Sequence, residues 1–376
     1  MSENSTRPWR AVPAAVFVLA LLGSATPLPA SGGGTPYTPA PVPGPRLFVY
    51  RVATPGAGDV QRLLRGEWDV LEAKGNGFLL VQGEEDLPLR LALEGFSSEL
   101  LHEVDRSGGE GLFTFYGGYR TAVEHEQHLA QVAAARPELA LLVDYGDSWR
   151  RQQGLPNGHD LLALCLTNRQ AGDCALSPTA PKPRAFVMAN VHAREITTSE
   201  LAWRFVDDLV ARYGVDADVT ALLDHTEVWV APMTNPDGHE IVESGGNNPY
   251  LQRKNANSSL GGCTVPNQGV DLNRNANFYW GTSGSSTSPC ASTYQGTAAA
   301  SEPEVTALQS LMALLFADRK GPNLSDPVPP DATGTMVTLH SASELVLWPY
   351  GHAYVTAPND AELKSLAFRM SYYNAY

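Results

Sequence analysis

His192 and Glu195 stand three residues apart, in the segment His192-Ala193-Arg194-Glu195, directly after the apolar run RAFVMANV. A histidine and a carboxylate at this spacing, at the end of a strand, can turn toward one ion. A hydrolytic zinc site takes three protein ligands and keeps a fourth position open for water. The third ligand is expected from a distant strand end, and His340, which closes the run TMVTLH, meets that need. An HxxE pair alone is a weak signal; the neighbouring motifs give it weight. The segment Asp271-Leu272-Asn273-Arg274-Asn275 adds a second group. An aspartate can fix the tautomer of a metal-bound imidazole and raise its basicity. Arg274 can take a carboxylate in bidentate fashion, and Asn273 can add a donor. Together these groups suit the free carboxyl end of a peptide.

The elements that must carry these residues are legible from hydrophobic pattern. LALLVDYG, HDLLALCLT, RAFVMANV and TEVWVAPM read as buried strands, and TMVTLH as another strand. Helices are expected between them. Thr121 with Glu124 forms a capping box, and Pro137 stops that helix. A second box is expected at Thr197 and Glu200, with Leu201, Phe205 and Leu209 on the buried face and Gly214 at the end. A third helix is expected from Ser301 and Glu304 to about Phe316. Strands alternating with helices predict a three-layer α/β domain. Asn235-Pro236-Asp237-Gly238 reads as a structural turn.

Upstream, LFVYRV, GDVQRLLR, DVLEAK, GFLLVQ and DLPLRLALEG give the order βαββα. A small α+β domain is therefore expected over residues 46–113, with the larger α/β domain over 114–376. Arg7, Arg10 and the apolar run Ala11 to Leu22, followed by small residues to Ala30, read as a signal peptide over residues 1–30. The Gly/Pro-rich stretch 31–45 reads as a linker. The chain is thus expected to be secreted or periplasmic, with no membrane segment beyond the signal. Of its 376 residues, 43% are hydrophobic and 18% charged, the range of a globular chain. The formal net charge of −14 argues against nucleic-acid binding, which needs a basic face. Four cysteines, Cys165, Cys174, Cys263 and Cys290, suggest two disulfides in an exported chain. Three pairings are open; the neighbour pairing is preferred because each pair lies in one local segment. Each such loop is worth roughly 3 kcal/mol in chain-entropy terms.

The segments NVHARE, APMTNPDGHE, QRKN, GVDLNRN and TLHS, in this order, resemble the zinc carboxypeptidase family, over roughly residues 114–370. The resemblance implies an α/β/α fold with a mixed, nominally eight-stranded sheet. It implies one Zn²⁺ per chain, held by His192, Glu195 and His340, with Asp271 supporting a ligand. Arg253, Asn273 and Arg274 match substrate-binding residues. The implied activity is hydrolysis of the C-terminal peptide bond of peptides or proteins by zinc-promoted water attack, by a monomer. Residues 46–113 match the position of a pro- or accessory domain. Cys263 and Cys290 flank the DLNRN segment as the family's common disulfide does.

The chain departs from the pattern twice. Many members carry a second arginine three positions after the first, where this chain has Ala256. Arg253 and Lys254 are the candidates to compensate. The family's general-base glutamate lies on a late strand, and only 36 residues follow His340. Glu344 is too close to His340 to match, and Glu362 fits the cap of a helix starting at Asn359. No catalytic residue is therefore assigned within the chain; the base is expected beyond residue 376. On that expectation the 376-residue chain binds zinc with little peptidase activity. Two other readings remain: a non-catalytic zinc protein that binds peptide C-termini, and a zinc amidohydrolase acting on acylated amino acids or cell-wall peptides. Trp348 and Tyr350 are candidates for the cleft, with packing an equal expectation.

Overall fold

The computed structural model describes residues 48–66, 68–74, 77–103, 115–282, 284–341, 345–353 and 355–374. The expected signal peptide, the linker and Glu344 lie outside them. No helix among the described residues is long and apolar enough to cross a membrane.

The first elements are β1 (Phe48–Ala53), α1 (Ala57–Arg65), β2 (Asp69–Lys74), β3 (Phe78–Gly83), α2 (Leu87–Leu93) and β4 (Ser98–Glu103). They form a four-stranded antiparallel sheet in the order β2-β3-β1-β4. Val52, Leu63, Leu79, Val81 and Leu91 make its core. The expected βαββα unit is there, extended by β4. That strand escapes a pattern reading because its two leucines, Leu100 and Leu101, are adjacent rather than alternating, and both are exposed.

The larger region holds α3 (Ala122–Ala135), β5 (Ala140–Asp147), α4 (Trp149–Gln152), β6 (Asp160–Leu166), β7 (Arg184–Met188), α5 (Ile196–Arg212) and α6 (Ala217–His225). β8 (Glu227–Ala231), α7 (Pro236–Glu243), α8 (Leu272–Asn275), α9 (Pro303–Leu315), β9 (Thr335–Thr338) and α10 (Asp360–Asn374) follow. The strands form one mixed sheet in the order β5-β6-β8-β7-β9. β6 runs antiparallel to its two neighbours β5 and β8, whereas β7 runs parallel to both β8 and β9. The described residues thus contribute five strands, where the family resemblance implied nominally eight.

Side chains alternate across a strand with period two, and that alternation builds the layers. Leu164, Leu166, Val228 and Val230 face α3, α5 and α6 through Leu129, Ala202, Val206 and Leu223. The intervening Ala163, Cys165, Trp229 and Ala231, with Phe186 and Met188, face α9 through Val305, Leu311 and Leu315. The result is the expected α/β/α arrangement. Both preferred disulfides are present, Cys165–Cys174 and Cys263–Cys290.

The capping box at Thr121 and Glu124 forms as read. The one expected at Thr197 and Glu200 does not. α5 starts at Ile196 with Glu195 at its N-cap and no side-chain capping bond. Its buried face is Ala202, Val206 and Leu209, and Leu201 is 53% exposed. The helix begins two residues earlier than the box requires, and the stripe that packs on the sheet runs through Ala202, Val206 and Leu209, which leaves Leu201 outward. Likewise α9 has Glu302 rather than Ser301 at its N-cap, with no side-chain capping bond and Pro303 in the first turn. Its Glu304 accepts the main-chain N–H of Trp149 instead of closing a box.

Candidate metal centre

β7 and β9 are parallel and in register, with Val187 opposite Val337 and Met188 opposite Thr338. The segments that leave them therefore emerge at the same sheet end. His340 comes two residues after β9, and His192 four residues after β7. Between β7 and His192 the chain must turn sharply. Asn190 sits there at φ 55°, a left-handed conformation that asparagine tolerates better than most residues. Its Nδ2 donates to the Ala193 carbonyl at 3.1 Å, and its main-chain N–H donates to Thr198 Oγ1 at 3.0 Å. Thr198 Oγ1 in turn donates to the Glu195 carbonyl at 2.7 Å. The Asn235 turn supports the loop from beneath: Asn235 Nδ2 donates to the Val191 carbonyl, and its Oδ1 accepts the Gly238 N–H that starts α7. That turn is structural, as its sequence suggested.

The three side chains converge. His192 Nδ1 lies 2.7 Å from Glu195 Oε1, and His340 Nδ1 lies 3.0 Å from Glu195 Oε2. The two Nδ1 atoms are 3.2 Å apart. One ligand atom from each residue falls within 4.8 Å of the others, and no other such group of three occurs among the described residues. His192 and Glu195 are buried, and the His340 side chain is 31% exposed, so the group opens to solvent on the His340 side. Two imidazole nitrogens and a carboxylate crowded this closely repel or share protons unless a cation sits among them. The donor set suits a small divalent ion with one face open. Burial alone would raise the Glu195 carboxyl. The charges and hydrogen bonds of His192 and His340 outweigh it and hold the group below the usual carboxylate range.

Asp271 lies behind His192. It is fully buried at the N-cap of α8, where its Oδ1 accepts the Asn273 N–H at 3.0 Å. The same oxygen is 3.3 Å from His192 Nε2, and Oδ2 accepts Arg253 Nε at 3.1 Å. Burial pushes this carboxyl up, but Arg253, His192 and Arg274 hold it well below the ordinary value. Arg253 is buried. Arg274 is half-buried and donates to the carbonyls of Gly284 and Asn273, while Asn273 is exposed.

Lys254 takes no part in the group. It is almost fully buried, and its ammonium donates to the Pro289 carbonyl at 2.7 Å, beside the Cys263–Cys290 disulfide. Burial pushes it down to about 8. Ala256 is buried between Asn255 and Asn257, both of which donate to Glu302. Neither Trp348 nor Tyr350 is directed to the three ligands: Trp348 Nε1 donates to Asp360, and Tyr350 Oη to the Leu324 carbonyl. Glu362 is exposed in the first turn of α10. Sequence reading passed over Arg194, which stands between His192 and Glu195. Burial and the neighbouring Arg253 push its guanidinium down to about 9. Its place inside the HxxE segment was the available signal.

The sequence model of a family described as zinc carboxypeptidase matches residues 125–375. Carboxypeptidase A2 of Rattus norvegicus is 30% identical over 290 residues, covering 77% of this chain and 59% of that protein. Carboxypeptidase A2 of Mus musculus is 28% identical over 281 residues, covering 75% of this chain and 58% of that protein. The chain therefore spans somewhat under two thirds of these curated relatives. In fold, it is similar to the carboxypeptidase A from Helicoverpa armigera, with a TM-score of 0.61 and 22% identity over 87% of this chain and 77% of that one.

Proposed function

Because this chain belongs to the zinc carboxypeptidase family, we propose that it is a zinc-dependent metallocarboxypeptidase that hydrolyses the C-terminal peptide bond of peptides or proteins. The observation that supports this most is the meeting of His192 Nδ1, Glu195 and His340 Nδ1 at one sheet end. These three would hold one Zn²⁺. When bound, that ion supplies Lewis-acid polarisation of a carbonyl and lowers the pKa of water toward ~7.

The chain's own residues have separable tasks. Asp271 beside His192 Nε2 favours the tautomer with the proton on Nε2, leaving Nδ1 with its lone pair for the metal. Arg253 is pinned by Asp271 and lines the substrate groove from a fixed position. The two main-chain acceptors of Arg274 occupy two of the five guanidinium N–H donors. The remainder, with the exposed Asn273, would take the free α-carboxylate of the substrate. Residues 46–113 would be a pro- or accessory domain and 114–376 the catalytic domain. Two disulfides agree with export through the proposed signal peptide.

The test is metal stoichiometry. Elemental analysis of the purified chain after zinc loading and dialysis is expected to give one zinc per chain, and His192→Ala none. Undiminished zinc in His192→Ala would overturn the assignment.

A further inference from the structure

We propose that Arg120 and Glu200, helped by Tyr119, are positioning residues that fix the carboxylate of Glu195 for the metal, an inference that rests on the zinc reading above. Glu195 has two roles that conflict. It is the N-cap residue of α5, and its carboxylate points at His192 and His340 instead of at the helix N–H groups. The first turn of α5 thus has no side-chain capping bond from its own N-cap. An uncapped helix start leaves donors unsatisfied and frays. A metal ligand placed there needs restraint from elsewhere, because coordination tolerates errors of only about 0.2 Å.

The strap Phe115–Arg120, just ahead of α3, supplies it. Phe115 is buried against Ala193, Ile196 and Val242. Tyr119 Oη lies 3.0 Å from Thr197 Oγ1, two residues beyond Glu195. The main-chain N–H of Arg120 donates to Glu200 Oε1 at 2.8 Å, and its guanidinium pairs with Glu200 Oε2. The guanidinium carbon also sits 4.2 Å from the centre of the Trp203 ring. The strap is itself anchored: His239 Nε2 on α7 lies 3.0 Å from the Arg120 carbonyl. Glu200 is only 9% exposed, five residues after Glu195, so its double bond to Arg120 holds the helix one turn from the ligand. The body of α5 is held separately, by Ala202, Val206 and Leu209 against the sheet. Strap and sheet therefore grip opposite sides of the helix, and at the turn beside Glu195 the strap adds to the bonds of Asn190 with Thr198 and Ala193. Arginine suits the task because its planar fork and π-face serve the carboxylate and the indole together, which an ammonium does not.

The experiment measures zinc affinity by competition with a chromophoric chelator, alongside the urea midpoint, in the full chain. Arg120→Ala and Glu200→Gln are expected to weaken zinc binding by about tenfold or more, the usual effect of removing a group that orients a ligand. Tyr119→Phe, which deletes one exposed hydroxyl, should weaken it about twofold to threefold. Val206→Ala hollows the sheet-facing side of the same helix. It should lower the urea midpoint and leave zinc affinity within about twofold, well short of the tenfold loss that defines a positioning group. Wild-type zinc affinity in Arg120→Ala would overturn the inference. So would a loss in Val206→Ala equal to that in Arg120→Ala, since the effect would then be general destabilisation. Should Arg120→Ala fail to fold, an unchanged affinity in Tyr119→Phe overturns it instead. Failure of the wild type to take up zinc would overturn the metal reading itself, an outcome distinct from these.

Discussion

Asp271→Asn is the substitution that separates charge from shape at this site. Asparagine has the volume of aspartate and can still accept the Asn273 N–H that starts α8, now 3.0 Å away. Its amide then faces Arg253 Nε, at 3.1 Å from the present Oδ2, so donor meets donor. Arg253 is 6% exposed, and breaking a buried ion pair by removing the charge of one member costs about 3–5 kcal/mol. Toward His192, 3.3 Å away, the ring loses the anion that favours the proton on Nε2. Loss of such a partner weakens metal binding about 10–100-fold. The sign of the acid response follows from the depressed pKa of Asp271. A carboxyl held below its unfolded value, near 3.9, contributes stability that is fully present above that value and is lost as pH falls through the lower, folded one. The stability gap between wild type and Asp271→Asn should therefore be constant from pH 8 to pH 5 and narrow only below about 4. Urea denaturation across this range and chelator competition at neutral pH measure both effects. Equal urea midpoints with zinc affinities within about twofold, against the expected tenfold or more, would refute the reasoning.

Three further outcomes follow from the same structure. Arg274→Ala should raise KM for free-acid peptides in any active form of the enzyme, with peptide amides poor substrates for the wild type; equal turnover of acids and amides would count against a carboxypeptidase role. Non-reducing peptide mapping of exported protein should recover Cys165–Cys174 and Cys263–Cys290 as linked pairs, and free thiols there would contradict both the pairing and the compartment. Burial, with His239 and Arg120 nearby, pushes His125 down to about 3, so it stays neutral in the fold while its unfolded counterpart protonates near 6.5. Stability present above pH 6.5 is thus lost as pH falls toward 3, and His125→Phe should flatten that limb by about 2–3 kcal/mol between pH 7 and 4.5; parallel urea midpoints for the two proteins would sink this account.

The inner strands β6 and β8 of the larger sheet are legible because they are largely buried on both faces, whereas the edge strands β5 and β9 are more exposed. Every residue of β8, Glu227–Ala231, is buried, and such a run stands out from its polar flanks. β4 is not legible, because Leu100 and Leu101 are adjacent and exposed, and its pairing with β1 passes through a register shift. At the site, the ligand types could be read from spacing, but their meeting could not. It depends on the parallel register of β7 and β9, which brings together residues 148 apart in the chain. The two capping-box sequences make the limit concrete. Thr121 with Glu124 and Thr197 with Glu200 carry the same local signal. The first forms, because nothing else competes for Glu124. The second gives way, because Glu195 is placed at the helix start with its carboxylate committed to the site, and Glu200 is committed to Arg120. A local rule that fails beside a functional group indicates what the group needs. Here the helix start has no side-chain cap because the Glu195 carboxylate turns to His192 and His340, and a strap distant in sequence bonds Thr197 and Glu200 just beyond it.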